Sequence, residues 1–207
     1  MADIKSKIEW LGHDSFRITG KSLVIYIDPW QIAPGVPADL ILVTHDHADH
    51  CSPDDIAKIR REDTEIVTVG AAAKLLSGRV TVVKPGDAIT VRGVGVAVVP
   101  SYNTSKNFHP REAGYAGFII DLDGEKIYHA GDTDVIEEMK TFSVDVALLP
   151  VSGIYVMTAD EAAEAAKLVR PKVAIPMHVG RGIGSLDDLQ RFADKTSVPV
   201  KILPMDK

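Results

Sequence analysis

Five of the six residues in His45-Asp46-His47-Ala48-Asp49-His50 carry a side chain that can ligate a metal ion. This segment constrains the fold more than any other, because a regular element would spread those side chains in several directions. A loop can fold all of them into one small volume. The flanks support a loop. Ile41-Leu42-Val43 has the unbroken apolar character of a buried strand. Ser52-Pro53-Asp54-Asp55 reads as a helix start, with an N-cap serine, a proline at the first helical position and two acids in the first turn. The chain has seven histidines, and three of them fall within these six positions. Imidazoles with interspersed carboxylates suit zinc, manganese, iron or nickel.

Two distant residues share that setting. Asp132 follows the apolar run Lys126–His129 through Ala130-Gly131, and His178 follows Val173–Met177 and stands shortly before Gly180. Both are expected at the C-terminal end of a strand, where sites form in open α/β sheets. Thirteen segments read as strands, from Lys7–Trp10 to Val200–Leu203. Helices are expected after Ser52, after the capping-box pattern Thr158-Ala159-Asp160-Glu161, and from Ser185 to about Lys195, with weaker ones at Ala71–Leu76 and Val135–Met139. The first half reads as mostly strands and the second as alternating strand and helix. That mixture suggests two sheets with helices outside.

Composition narrows the function. A net charge of −6 argues against nucleic-acid binding. One cysteine, Cys51, excludes an internal disulfide and a Cys-only zinc site, and reads as a small buried residue. The absence of an apolar leader or a bilayer-length apolar run leads to the expectation of a soluble, cytoplasmic protein without a membrane partner. Homo-oligomerisation is left open.

Six pieces stand in order along the chain: Trp10-Leu11-Gly12-His13, Ile25-Tyr26-Ile27-Asp28-Pro29, Thr44 to His50, Tyr128-His129-Ala130-Gly131-Asp132-Thr133, Leu148-Leu149-Pro150-Val151-Ser152-Gly153 and Ile175-Pro176-Met177-His178. Together they resemble the metallo-β-lactamase superfamily over nearly the whole chain. The likeness is strongest to its small metal-dependent hydrolases, including the ascorbate-phosphate lactonase branch. The resemblance implies a four-layer αββα sandwich, with residues 1–207 forming a single domain. It implies that His45 and His47 bind a first metal, that Asp49, His50 and His178 bind a second, and that Asp132 bridges them. One position departs. The family usually has a histidine on the strand that here ends Val99-Pro100-Ser101-Tyr102-Asn103. Asn103 occupies that place, and an amide oxygen is a weaker ligand. Asn103 itself, His109 and His13 are the candidates to complete the first site.

The implied activity is hydrolysis of a small, anionic ester, lactone or phosphoester by a water that one or two divalent ions activate. Zinc is the first expectation, with manganese, nickel or iron as alternatives. Asp49 is expected to orient the water, and His13 or His109 to assist the oxyanion or leaving group. Lys106, Arg111 and Arg181 are candidate contacts to an anionic substrate, and Tyr102 and Tyr155 candidate pocket walls. Asp28 reads as a residue that orients a ligand or shapes a turn, and His129 as core or as a support behind a metal ligand. A metal-dependent oxidoreductase on the same scaffold, a phosphodiesterase or nuclease, and a non-catalytic metal-binding module are the competing readings.

Overall fold

The structure is a computed structural model that describes residues 7–205. The start of the chain, 1–5, read above as lacking an apolar leader, lies outside the described residues. The first half comprises β1 (Lys7–Gly12), β2 (Ser15–Thr19), β3 (Val24–Ile27), β4 (Leu40–Val43), α1 (Pro53–Ile59), β5 (Glu65–Val69), the single turn α2 (Gly70–Ala73) and β6 (Arg79–Val83). The second comprises β7 (Ala88–Val91), β8 (Val94–Pro100), β9 (Ala116–Leu122), β10 (Glu125–His129), β11 (Val146–Pro150), α3 (Ala159–Val169), β12 (Val173–Met177) and α4 (Asp187–Lys195).

Each half forms a six-stranded sheet, in the orders β1-β2-β3-β4-β5-β6 and β12-β11-β10-β9-β8-β7. In both, antiparallel hairpins come first and parallel strands follow: β3 to β6 in one sheet and β10 to β12 in the other. The halves are therefore built alike, whereas the sequence suggested strand–helix alternation only in the second. The crossovers of the first half are short, and α2 is too brief to show a helical period. The inner faces of the sheets meet, as the edge-on packing of Phe16 against His129 at 5.8 Å shows. Helices α3 and α4 pack together outside the second sheet, and α1 and α2 flank the first. This is the four-layer αββα sandwich.

Local chemistry explains the elements. All four residues of β4 and all five of β12 are buried, as befits strands covered on both faces. Ser52 caps α1, and Thr158 and Glu161 form the reciprocal capping box of α3, worth about 1 kcal/mol. Three expectations shift. Val200–Leu203 is not a strand: Val200 makes only an isolated bridge to Ala174. The weak helix expected at Val135–Met139 is a 3-10 turn at Glu137–Thr141, and the last helix starts at Asp187. No helix among the described residues is long and apolar enough to cross a membrane.

Candidate metal centre

Sharp backbone reversals at strand ends build the site. His13, Asp28 and His178 follow β1, β3 and β12 directly or through one turn residue, and all three have positive φ, at 51°, 45° and 64°. Non-glycine residues pay about 1–3 kcal/mol in such conformations, so the fold must hold them there. The reversal throws each side chain back across the sheet edge. Gly131 does the corresponding work after β10: a Cβ there would stand 2.9 Å from the Ala116 carbonyl oxygen. The two sheets are stitched together at this edge by His178 N–H donating to His13 O (3.2 Å) and Ala116 N–H donating to Thr44 O (3.1 Å).

Two clusters result. In the first, His45 Nε2 lies 3.0 Å and His109 Nε2 3.3 Å from His47 Nδ1. The second gathers His13, Asp49, His50 and His178, and an overlapping set contains Asp14, His50, Asp132 and His178. Asp132 lies between them. Its Oδ2 is 3.2 Å from both His109 Nε2 and His178 Nε2, and its Oδ1 is 3.2 Å from His50 Nε2. Two nitrogens on one tetrahedral zinc stand about 3.3–3.4 Å apart, given bonds of about 2.0–2.1 Å. The spacings of the first cluster match that geometry and leave three nitrogens crowded around one point.

Orphaned atoms make the same case. Among the described residues, His50 Nε2 and Asp132 Oδ1 are buried without a hydrogen-bond partner, as are both carboxylate oxygens of Asp14. Buried polar atoms left unsatisfied cost about 1–3 kcal/mol each, more when charged, so a cation among them fits the donor set. The far side of each ring is already engaged. His45 Nδ1 meets Thr44 Oγ1 at 2.9 Å, and that hydroxyl donates to Asp28 Oδ2, so the imidazole is the donor to Thr44. His50 Nδ1 donates to Asp28 Oδ2 at 2.8 Å, His109 Nδ1 to Asn103 Oδ1 at 3.1 Å, and His178 Nδ1 to Ser152 Oγ at 2.9 Å. In all four, Nε2 is left facing inward, the arrangement that orients metal-binding imidazoles.

Burial and neighbours set the protonation. Burial keeps His45 well below the usual imidazole range, and lowers His13 to about 4. Burial disfavours charge on Asp132 and on Asp49, but adjacent imidazoles win: Asp132 falls well below the carboxylate range, and Asp49 falls to about 2 through its contact with His13. Burial also opposes charge on His50, yet the Asp132 and Asp28 carboxylates raise it well above its usual range. Burial and then the Asp132 charge push Asp14 well above the carboxylate range. A cation bound here would compete with protons on His50 and Asp14.

The structure brings His13, His45, His47, Asp49, His50, His109, Asp132 and His178 together. Three expectations need correcting. Asn103 is not in either cluster: its oxygen accepts from His109 Nδ1 and from His109 N–H (3.0 Å), and its amide donates to Asp134 Oδ1 and Tyr155 O. It positions His109, which occupies the gap instead. Lys106 gives its ammonium to Asp134 at 2.6 Å, and Arg181 lies over Gly12 and donates to Leu11 O at 2.7 Å, so neither cation faces the site. Arg111 stacks on the largely buried Tyr102 ring at 4.8 Å and pairs with Glu138.

Tyr155, by contrast, lines a cleft of about 250 Å³ with His47, Asp49, Phe108, His109 and Asp132. Phe108 meets Tyr155 edge-on at 4.7 Å, and both rings are largely exposed. Cys51 is buried, and burial pushes its thiol up to about 12. His129 is core, bonded to Asp14 O at 3.0 Å. Sequence reasoning missed Asp14, Phe108, Ser152 as an orienting hydroxyl, and Trp30, whose ring packs edge-on against His13 at 5.2 Å. Only Asp14, beside His13 in a strand-end turn, carried a usable signal.

A fold of two αβ halves with histidine and aspartate clusters able to hold metal at one sheet edge defines the class. Residues 7–178 match the β-lactamase superfamily domain. A UPF0173 metal-dependent hydrolase of Thermoplasma acidophilum is 39% identical over 83% of this chain and 82% of its own. Its counterpart in Thermococcus kodakarensis is 37% identical over 94% and 95%. Among solved structures, a chain from Parabacteroides distasonis, provisionally named a metal-dependent hydrolase, aligns with a TM-score of 0.87 at 34% identity, covering 97% of this chain and 94% of that one. A metallo hydrolase of Ignicoccus hospitalis aligns at 0.79 and 24% identity, over 98% and 96%, a likeness of fold. The chain belongs to the β-lactamase superfamily, in the branch whose curated members are named metal-dependent hydrolases.

Proposed function

We propose that this protein is a metal-dependent hydrolase acting on a small ester or lactone whose acyl or leaving group is apolar or aromatic. The observation that carries the reading is Asp132, a buried carboxylate shared by two donor clusters at the floor of an open cleft. His45, His47 and His109 would hold one ion and His13, Asp49, His50 and His178 a second, with Asp132 between them. When bound, such ions lower the pKa of a water and polarise the substrate oxygen. The protein's own residues do the rest. Asp49 Oδ2, on the cleft wall and 3.2 Å from His13 Nε2, is placed to accept a hydrogen bond from the attacking water and orient it. Phe108 and Tyr155 flank the cleft mouth and hold an apolar group against it. No Lys or Arg lines the cleft among the described residues, which favours a neutral substrate over the anionic one first expected.

His109, held by Asn103, stands with His45 and His47, which supports a complete first donor set and a catalytic over a non-catalytic reading. The test is metal analysis of purified protein followed by a panel of aryl esters, aliphatic lactones, phosphomonoesters and phosphodiesters with added zinc or manganese. Two ions per chain and fastest turnover of aryl esters or lactones is the expected result. Absence of bound metal, with no gain in hydrolysis on adding it, would sink the reading.

A further inference from the structure

Asp14 has no part in the ligand set that the family resemblance implies. Its side chain is fully buried, and neither oxygen has a hydrogen-bond partner among the described residues. Its Oδ2 lies 3.6 Å from His50 Nε2, too far for a hydrogen bond but within the spacing of two ligands on one ion. His50 Nε2 is itself an orphan, and Asp132 Oδ1, 3.2 Å from it, is another. Three unsatisfied donor groups, from the β1–β2 turn, the loop after β4 and the end of β10, thus face one point. His178 completes a set whose ligand atoms all lie within 4.8 Å of one another. Polar atoms left without a hydrogen bond in a fully buried position are costly, and a cation is the partner that satisfies all three groups at once.

We infer that Asp14 is a ligand of the second ion, and that it makes this cluster select a harder metal than the three-imidazole cluster does, so that the two positions differ in metal preference. The inference rests on the metal centre proposed above. Two overlapping donor sets share His50 and His178, and between them they draw on three carboxylates, Asp49 from one and Asp14 and Asp132 from the other, with His13 as the third imidazole. The first cluster offers three imidazoles and a share of Asp132. Carboxylate-rich, high-coordination sites suit manganese, whereas three imidazoles in tetrahedral spacing suit zinc. The general affinity order favours zinc over manganese at any such site. The quantity that separates the clusters is therefore the manganese-to-zinc affinity ratio, not the bare affinity.

Metal-free protein is first loaded with one equivalent of zinc, then titrated with manganese while the electron paramagnetic resonance signal of free manganese is followed. Wild type should take up one manganese per chain and keep its zinc. Asp14→Asn should bind that manganese about 10-fold or more weakly, in the range seen when a metal site loses one supporting group, with zinc retained. His109→Ala, titrated with manganese in the absence of zinc, should bind that manganese as wild type does while its first-cluster zinc affinity falls. This opposite loss keeps the test decisive if Asp14→Asn folds poorly, as circular dichroism would show. Unchanged manganese uptake in Asp14→Asn, or manganese binding weakened as much in His109→Ala as in Asp14→Asn, overturns the inference and leaves the metal centre standing. Wild type that binds neither ion overturns both.

Discussion

The two clusters face each other across Asp132, yet they are assembled differently. The three-imidazole cluster takes two of its rings, His45 and His47, from one loop two residues apart, and borrows only His109 from elsewhere. It borders the cleft, and His47 stays partly exposed. The second cluster draws on strand ends in both sheets, sits almost wholly buried, and depends on His13 and His178 in strained backbone positions. Its outer support, Asp28, is strained as well. One cluster is mostly local chemistry held by a loop, and the other is a product of sheet packing. Damage to the first should weaken a metal site, whereas damage to the second should also disturb the junction of the two sheets.

Asp132 is where the comparison breaks most completely, because both clusters share it. Asp132→Ala should remove metal from both and lower kcat/KM at least ~10³-fold, several kcal/mol of transition-state stabilisation; metal content and kinetics check it. Near-normal activity with one metal retained would show that the clusters work independently. Next comes Asn103→Ala. It leaves every proposed ligand in place but frees the His109 ring, so zinc affinity of the first cluster should fall about 10–100-fold with the second unaffected. Equal loss from both clusters would mean that Asn103 supports the fold rather than one ligand.

Phe108→Ala touches neither cluster. It should lower kcat/KM for aryl esters by about 10-fold through lost apolar contact, with methyl esters and metal content unchanged. The smallest effect lies far from both. Arg17 hydrogen-bonds Glu9 with two bonds of 2.8 Å and holds its carboxyl at about 2, below the ordinary 4.5. Because the folded-state value is depressed, the pair's contribution is full above about pH 4.5 and is lost as pH falls towards 2. Glu9→Gln should therefore reduce thermal stability at pH 7 by no more than ~1 kcal/mol, and should make no difference near pH 2.

How much was legible follows the same division. His45 to His50 could be read as a converging loop because a buried strand and a capped helix bracket it. Asp132 and His178 could be read because strand, glycine and ligand recur together. The helix caps at Ser52 and Thr158 were visible for local reasons too. The family resemblance supplied the sandwich, which periodicity alone left at two sheets with outer helices. The role of Asn103 was not legible: an amide six residues from a histidine looks the same whether it faces a metal or the histidine. Lys106 and Arg181 were misread because their partners, Asp134 and Leu11 O, are distant in sequence.

The sequence by itself therefore determined the donor chemistry, the loop that concentrates it and the strand ends that carry the remaining ligands. These depend on residue type and on interactions spanning a few positions. Only the tertiary structure decided that His109 fills the place Asn103 leaves, that Asp14 turns inward without a partner, and that the cleft is walled by aromatic rings instead of cations. Those outcomes depend on which strand ends meet when two sheets pack face to face. That meeting is a property of the whole buried core, to which every strand contributes.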